Sequence, residues 1–270
     1  MAMPNDLILI RHGESEANIV QKQINDLGED ASVDLAGKHD GYVRLSPTGV
    51  KQAQSAGAWL KEHNLATFDR YCVSPFARAR ETAGYLALDG DWRIDDRLRE
   101  QNWGIFNLLS WDQIQNLDPA SRNLREQFHW YWQPRDGESL ASGVRARFES
   151  LLSSLNRKTD GKKVIAATHG GYMNAARFVL ERITPEKWKE DFDNGDHRIF
   201  NAHILHYTRL DPETGQQAPY LKWRRAICPW DESLSWDDGK WIEISARTYN
   251  DQELLEFANL HPHLLEAKNN

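Results

Sequence analysis

Arg11-His12-Gly13, Arg78 and Thr168-His169-Gly170-Gly171 carry the side chains and backbone donors with which this chain of 270 residues can do chemistry. Two guanidiniums, two imidazoles and glycine N–H groups at the starts of helices make a site for an anion. Phosphate fits best, because Arg meets its oxygens in bidentate fashion and a helix N-terminus adds further donors. A neutral imidazole nitrogen aimed at phosphorus can also attack it, giving a phosphohistidine, while the arginines neutralise charge that builds on the equatorial oxygens. A leaving alkoxide then needs a proton. Arg99-Glu100-Gln101, close to Trp103, offers Glu100 as the acid. The sequence has no GxxxxGK[ST] loop, so nucleotide binding by that route has no support.

Strands that end abruptly would hold these groups. Leu7-Ile8-Leu9-Ile10 is an all-apolar run of the kind buried on both faces of a parallel sheet, and it stops at Arg11. Residues 15 to 23 predict a helix and residues 25 to 44, rich in Gly and Asp, a surface loop. Ser46-Pro47 opens a helix to about Glu62. Tyr71 to Val73 form a second strand, after which Ser74-Pro75 is expected to cap a helix carrying Arg78 in its first turn. Val164 to Ala167 make a third strand, followed by His169 and a helix to Leu180. Three repeats of strand, polar turn and helix predict an α/β fold whose ligands gather at the carboxyl ends of the strands.

Residues 92 to 140, with Trp92, Trp103, Trp111, Trp130 and Trp132, do not read as another such unit and are expected to be a helical insertion walling the site. A helix from Val144 to Leu155 follows. From about residue 204, Ile204–Tyr207, Tyr220–Trp223 and Ile242–Ser245 predict an antiparallel extension, closed by a helix over Gln252–Asn259. We therefore expect a single domain over 1–270, with an insertion at about 92–140 and a C-terminal extension at about 204–270.

A net charge of -7 argues against a general binder of nucleic acid or anionic membrane. No apolar run reaches membrane-spanning length and the N-terminal residues MAMPND lack the order of a signal peptide, so the expected location is the cytoplasm. Two cysteines, Cys72 and Cys228, are too few for a disulfide framework.

Together, Arg11-His12-Gly13-Glu14-Ser15 with Asn18, Ser74-Pro75-Phe76-Ala77-Arg78-Ala79 with Thr82-Ala83, Leu98-Arg99-Glu100 with Gly104, Gly137-Glu138-Ser139 and Thr168-His169-Gly170 resemble the histidine phosphatase superfamily, also called the phosphoglycerate mutase-like family. The resemblance runs from residue 7 to about 180, in family order. It implies a three-layer α/β/α sandwich with a mainly parallel sheet and a helical insertion over the site. It further implies His12 as the phosphorylated nucleophile, Arg11, Arg78, His169 and Gly170 around the phosphoryl group, Ser15 and Asn18 lining the pocket, and Glu100 as proton donor. No cofactor or metal is called for, and the partner is a small phosphorylated substrate; an oligomer is allowed. Trp103-Gly104 stands where the glycolytic mutases have Tyr-Gly, and residues 119 to 135 show no proline cluster like that of their Arg- and Pro-rich stretch. Phosphatase is thus the expected activity, with a mutase-type phosphotransferase and a non-catalytic phosphate-binding module as the alternatives.

Several residues have plainer readings. Ser15 can simply cap a helix, and Glu14, Glu81 and Glu138 compete with Glu100 for the acid's place. His129, Trp130, Tyr131 and Trp132 can stack on substrate or form the insertion's own small core. His197, His203 and His206 match no zinc spacing, and strand alternation sends the last two to opposite faces. Cys72 reads as inert packing.

Overall fold

A computed structural model describes residues 3–27, 38–245, 248–261 and 263. In chain order these form β1 (Asp6–Arg11), α1 (Glu16–Leu27), α2 (Pro47–Glu62), β2 (Arg70–Val73), α3 (Ala77–Tyr85), β3 (Trp92–Ile94), α4 (Trp111–Leu117) and α5 (Ser121–Phe128). They continue through α6 (Arg145–Lys158), β4 (Lys163–Thr168), α7 (Gly170–Leu180), α8 (Pro185–Asn194), β5 (Ile204–Thr208), β6 (Trp223–Ile227), β7 (Ile242–Glu243) and α9 (Asp251–Asn259). Among the described residues the sheet has seven strands in the order β3-β2-β4-β1-β5-β6-β7. The first four are parallel; β5, β6 and β7 are each antiparallel to the strand before them in that order.

Alternation along the strands builds two cores. Leu7 and Leu9, with Val164, Ala166, Leu205 and Tyr207, pack against Phe148 and Leu151 of α6 and Met173 and Ala176 of α7. Ile8 and Ile10, with Ile165 and Ile204, face the other way onto Ala56 and Leu60 of α2 and Leu86 beyond α3. A sheet apolar on both sides must be covered on both sides, which gives the three layers, helix on sheet on helix.

Register then sets the chemistry. Arg11 pairs with Thr168, so the next residues, His12 and His169, leave the sheet side by side. Val73 pairs with Ala167, which brings Ser74 to the same edge.

Three expectations need correcting. Trp92–Ile94 is a strand parallel to β2, so α3 sits inside a complete βαβ unit and the helical insertion begins after it. This strand has three residues with two exposed, too short for a period to register. The strand expected at Tyr220–Trp223 runs instead from Trp223 to Ile227. Ser74 does not cap α3, whose N-cap is Phe76 without a side-chain bond; its hydroxyl accepts weakly from Phe76 N at 3.3 Å and lies 2.8 Å from His169 Nε2. Ser46, by contrast, caps α2 through Gly49 N at 3.0 Å. Of the loop expected at 25 to 44, residues 28–37 lie outside the described residues; α1 reaches Leu27 and residues 40–42 form one 3-10 turn.

Candidate active site

The RHG turn is wedged against the start of α2. A side chain on Gly13 would put its Cβ 2.3 Å from Gly49 O, and one on Gly49 would lie 2.0 Å from Glu14 O, so the two backbones touch only because both are glycine. Thr82 Oγ1 accepts from Gly13 N at 3.0 Å and donates to Arg78 O at 2.7 Å, tying the turn to α3.

His12 is buried, and its Nδ1 lies 2.7 Å from Gly13 O. A carbonyl can only accept, so Nδ1 carries the hydrogen and Nε2 keeps its lone pair in the neutral ring. Arg78 Nε donates to that Nε2 at 3.2 Å. Burial, then the charges of Arg78 and Arg11, push the His12 pKa well below 6.5. His169 is pushed the same way by burial and by Arg78. Its ring stands edge-on to His12 with centroids 5.2 Å apart, and its buried Nδ1 has no protein partner. Burial lowers Arg11 to about 10, against the opposing pull of Glu100. Arg11 donates to Ile199 O at 2.7 Å, while its buried Nε lacks a partner and lies 3.3 Å from where a Cβ on Gly170 would be. The site therefore holds the buried guanidinium of Arg78 and the half-buried one of Arg11 beside two neutral imidazoles, a strong field for an anion.

Glu100 sits at the mouth of this group, its carboxylate accepting from Gln101 N at 2.8 Å and from Gly171 N and Tyr172 N at 3.2 Å, in the first turn of α7. Its three rivals are engaged elsewhere. Glu14 accepts from Ser46 Oγ at 2.7 Å, Glu81 binds Arg44 and Leu45 N, and Glu138 pairs with Arg147 at 2.6 Å and accepts from Asn102 N at 3.0 Å. Ser15 caps α1, with Asn18 N on its Oγ at 3.3 Å. Asn18 Oδ1 accepts from Ser15 N, Ser15 Oγ and Asn201 Nδ2, which leaves its own NH2 for the pocket that both residues line.

Arg11, His12, Ser15, Asn18, Arg78 and Glu100 all line one cavity of about 200 Å³, walled on its far side by Trp103 and Phe106. His169 is not on its open surface. Trp130 and Trp132, expected either to stack on substrate or to form a core, form cores: Trp130 stacks on Phe178, and Trp132 packs with Phe106 and Ile114. Tyr131 is exposed, and His129 accepts from Trp188 Nε1 at 3.0 Å. His206 bonds Asp6 at 2.8 Å while His203 packs against Trp236 across the sheet.

Two residues escaped sequence reasoning. Asp40 holds Arg78 in a fork, Oδ1 at 3.0 Å and Oδ2 at 3.1 Å, with its carbonyl at 2.7 Å. Arg147 donates to the carbonyls of Arg97, Arg99 and Glu100 and so carries the strand of chain that presents Glu100. One lies in a loop without periodicity, the other on a helix where it resembles any surface Arg. The pairing of Arg147 with Glu138, in Gly137-Glu138-Ser139, was the available signal.

Comparison with known proteins bears on the fold and the family. The profile of the Histidine phosphatase superfamily (branch 1) matches residues 7–205. A 2,3-bisphosphoglycerate-dependent phosphoglycerate mutase of Sinorhizobium fredii is 30% identical over 198 residues, covering 68% of this chain and 83% of its own. Among solved structures, a mycobacterial glucosyl-3-phosphoglycerate phosphatase complexed with VO3 has a TM-score of 0.58 at 24% identity, over 76% of this chain and 91% of its own. A phosphoserine phosphatase mutant from Entamoeba histolytica in complex with phosphoserine also has a TM-score of 0.58, at 21% identity over 81% of this chain and 97% of its own. The structural likenesses establish the fold, and the profile match, which runs from Leu7 in β1 through β2, β3 and β4 into the start of β5, establishes the lineage: the chain belongs to the histidine phosphatase superfamily, branch 1.

Proposed function

We propose that the protein hydrolyses phosphomonoesters through a phosphohistidine on His12. The observation that carries this reading is the Nδ1 bond to Gly13 O, which leaves Nε2 as the lone pair inside a cavity lined by Arg11, Arg78 and Glu100. As Arg78 Nε turns from Nε2 to a phosphoryl oxygen, Nε2 attacks phosphorus, the ester P–O bond breaks, and Glu100 gives its proton to the departing alkoxide. Water then attacks the phosphohistidine, returns a proton to Glu100 and releases phosphate. Arg11 and Arg78 stabilise the charge on the transferring oxygens, His169 Nδ1 and the N–H of Gly170 are further donors, and Asn18 and Ser15 shape the pocket wall. None of these steps calls on a metal or cofactor.

The curated relative supports a second reading, transfer of the phosphoryl group to another alcohol. Hydrolysis is favoured by Trp103-Gly104 after the acid and by the lack of a proline cluster at residues 119 to 135, since a mutase must hold its phosphoenzyme dry until a second acceptor arrives. The test is release of 4-nitrophenol from 4-nitrophenyl phosphate. Activity should survive EDTA, be inhibited by vanadate, and fall at least about a thousandfold in His12→Ala. Retained turnover in that variant rejects the mechanism, and turnover that requires an added alcohol or phosphorylated acceptor favours the mutase.

A further inference from the structure

We propose that Ser74 is a positioning residue for the reaction: its hydroxyl donates to Nε2 of His169, fixes that imidazole in the Nδ1–H form, and so keeps an N–H ready for the transferring phosphoryl group. What the N–H is used for rests on the hydrolase reading, whereas where the hydrogen sits rests on buried hydrogen bonds alone.

Ser74 directly follows β2 and is buried, with its own N–H donating to Ala167 O at 3.0 Å. His169 directly follows β4 and is buried as well. Because Val73 pairs with Ala167, the two side chains leave the sheet together, and Ser74 Oγ lies 2.8 Å from His169 Nε2. A hydroxyl has one hydrogen, and a neutral imidazole has one N–H and one lone pair, so the contact by itself allows either atom to donate. The surroundings decide between them. Phe76 N already donates to Ser74 Oγ at 3.3 Å. Were Nε2–H to donate too, the hydroxyl hydrogen would be buried with nowhere to go, because among the described residues Oγ meets no acceptor other than Nε2. With the hydroxyl as donor, both groups are satisfied.

Nε2 then keeps its lone pair and the neutral ring carries its hydrogen on Nδ1. Burial, and then the neighbours Arg78, His12 and Arg11, hold the ring neutral by pushing its pKa well below 6.5. The ring stands edge-on to both His12 and Phe76, with centroids 5.2 and 5.1 Å away. Turned over, it would set a carbon against Ser74 and strand the hydroxyl again. Nδ1 is buried without a protein partner, and so is Nε of the neighbouring Arg11. Two buried N–H donors lacking acceptors in one site are what an anion would satisfy. The opposite tautomer would turn a lone pair toward that anion. Ser74 thus acts through His169 and touches neither substrate nor phosphorus.

Long-range nitrogen–proton NMR of the free protein at about pH 7.5 should show His169 as Nδ1–H in the wild type and as wholly or partly Nε2–H in Ser74→Ala. The N–H of residue 74 stays on Ala167 O in that variant, so β2 remains paired. On 4-nitrophenyl phosphate Ser74→Ala should lose about a hundredfold in kcat/KM, the scale of one misplaced donor, and titration calorimetry should show inorganic phosphate binding at least about tenfold more weakly. Ser74→Thr, which keeps the hydroxyl, should recover the Nδ1–H form and most of the activity; Ser74→Cys, a weaker donor of similar size, should fall between Ser and Ala in both. An Nε2–H ring in the wild type overturns the assignment, and that result is read without any variant. So does an Nδ1–H ring in Ser74→Ala, whatever its activity, since the loss would then be structural, and so does full activity and phosphate affinity in a variant whose ring has become Nε2–H. If no ester is turned over, yet the tautomer and phosphate affinity respond to Ser74 as expected, the positioning role stands and the hydrolase reading falls.

Discussion

At the scale of single residues, reactivity follows from one hydrogen bond and two charges. Because Gly13 O fixes the tautomer and burial beside Arg78 and Arg11 lowers the pKa, His12 stays neutral, and so able to attack, to well below pH 6.5. An imidazole must be neutral to act, which sets a loss of activity at low pH; the structure moves that loss further into acid than an ordinary histidine would give. Long-range nitrogen–proton NMR of the free protein should report His12 as the Nδ1–H form from pH 7.5 to below 6.5; an Nε2–H form, or a midpoint at 6.5 or above, contradicts the assignment. Asp40 acts in the opposite sense to substrate. Its carboxylate occupies the NH1 and NH2 edge of Arg78 with which a phosphate would bond, so an incoming anion must displace it or share the fork. Asp40→Asn should tighten competitive inhibition by inorganic phosphate about three- to tenfold, and weaker inhibition would mean that Asp40 positions Arg78 instead. Arg11, His12, Arg78, Glu100 and His169 were legible because each follows or adjoins a recognisable strand end or motif. Asp40 was not, since nothing in a Gly- and Asp-rich loop tells which of its acids folds back onto an arginine.

At the scale of elements, β1, β2 and β4 bring Arg11, Ser74 and His169 to one sheet edge, and these strands could be read from apolar runs that stop at polar residues. Their relative register could not, and it is the register that sets His12 beside His169. Segments without a clear period were the ones misread: β3 is too short, and β6 carries Arg224 and Arg225 side by side, which breaks the alternation of a strand. Glu100 depends on an interaction between elements that no local pattern encodes. Arg147 on α6 reaches the carbonyls of Arg97, Arg99 and Glu100 while its charge is balanced by Glu138, both side chains being largely buried. Arg147→Met leaves Glu138 without its counter-charge and should cost about 3 kcal/mol in denaturant unfolding. Arg147→Met with Glu138→Leu should recover much of that stability, yet still lose at least about tenfold in kcat on alkyl phosphates, because the chain presenting Glu100 is no longer held. Full activity in the double variant would show that Glu100 needs no such support.

At the scale of the whole molecule, the strands expected from residue 204 onward do run antiparallel, but β5 is not peripheral: it pairs with β1 from Asp6 to Ile10 and completes the burial of the strand that ends at Arg11. Pairing partners are a property of the packed sheet, which is why sequence pattern identified the strand and not its neighbour. Among the described residues no helix is long and apolar enough to cross a membrane. Packing the site between two layers also has a cost in acid, because it buries histidines in their neutral form. Burial lowers the pKa of His12, His169 and His206, takes His129 to about 4 and takes His203 to about 3. The unfolded chain binds protons at these positions once the pH falls through about 6.5, whereas the folded chain does not until much lower. Between those limits the unfolded state holds more protons, so stability is greatest above 6.5 and declines as the pH drops. His203 alone contributes a slope approaching about 1.4 kcal/mol per pH unit across that window. Asp6, whose pKa is lowered by its bond to His206, extends the loss to lower pH still. Urea unfolding at pH 7.5, 6.5 and 5.5 should therefore give a falling free energy with uptake of protons, and His203→Asn should remove about one proton from that uptake, whatever it does to stability at pH 7.5. A free energy of unfolding that stays constant from pH 7.5 to 5.5 would mean that these imidazoles are reached by protons without unfolding, and with it would go the view of His12 as a base kept neutral by its surroundings.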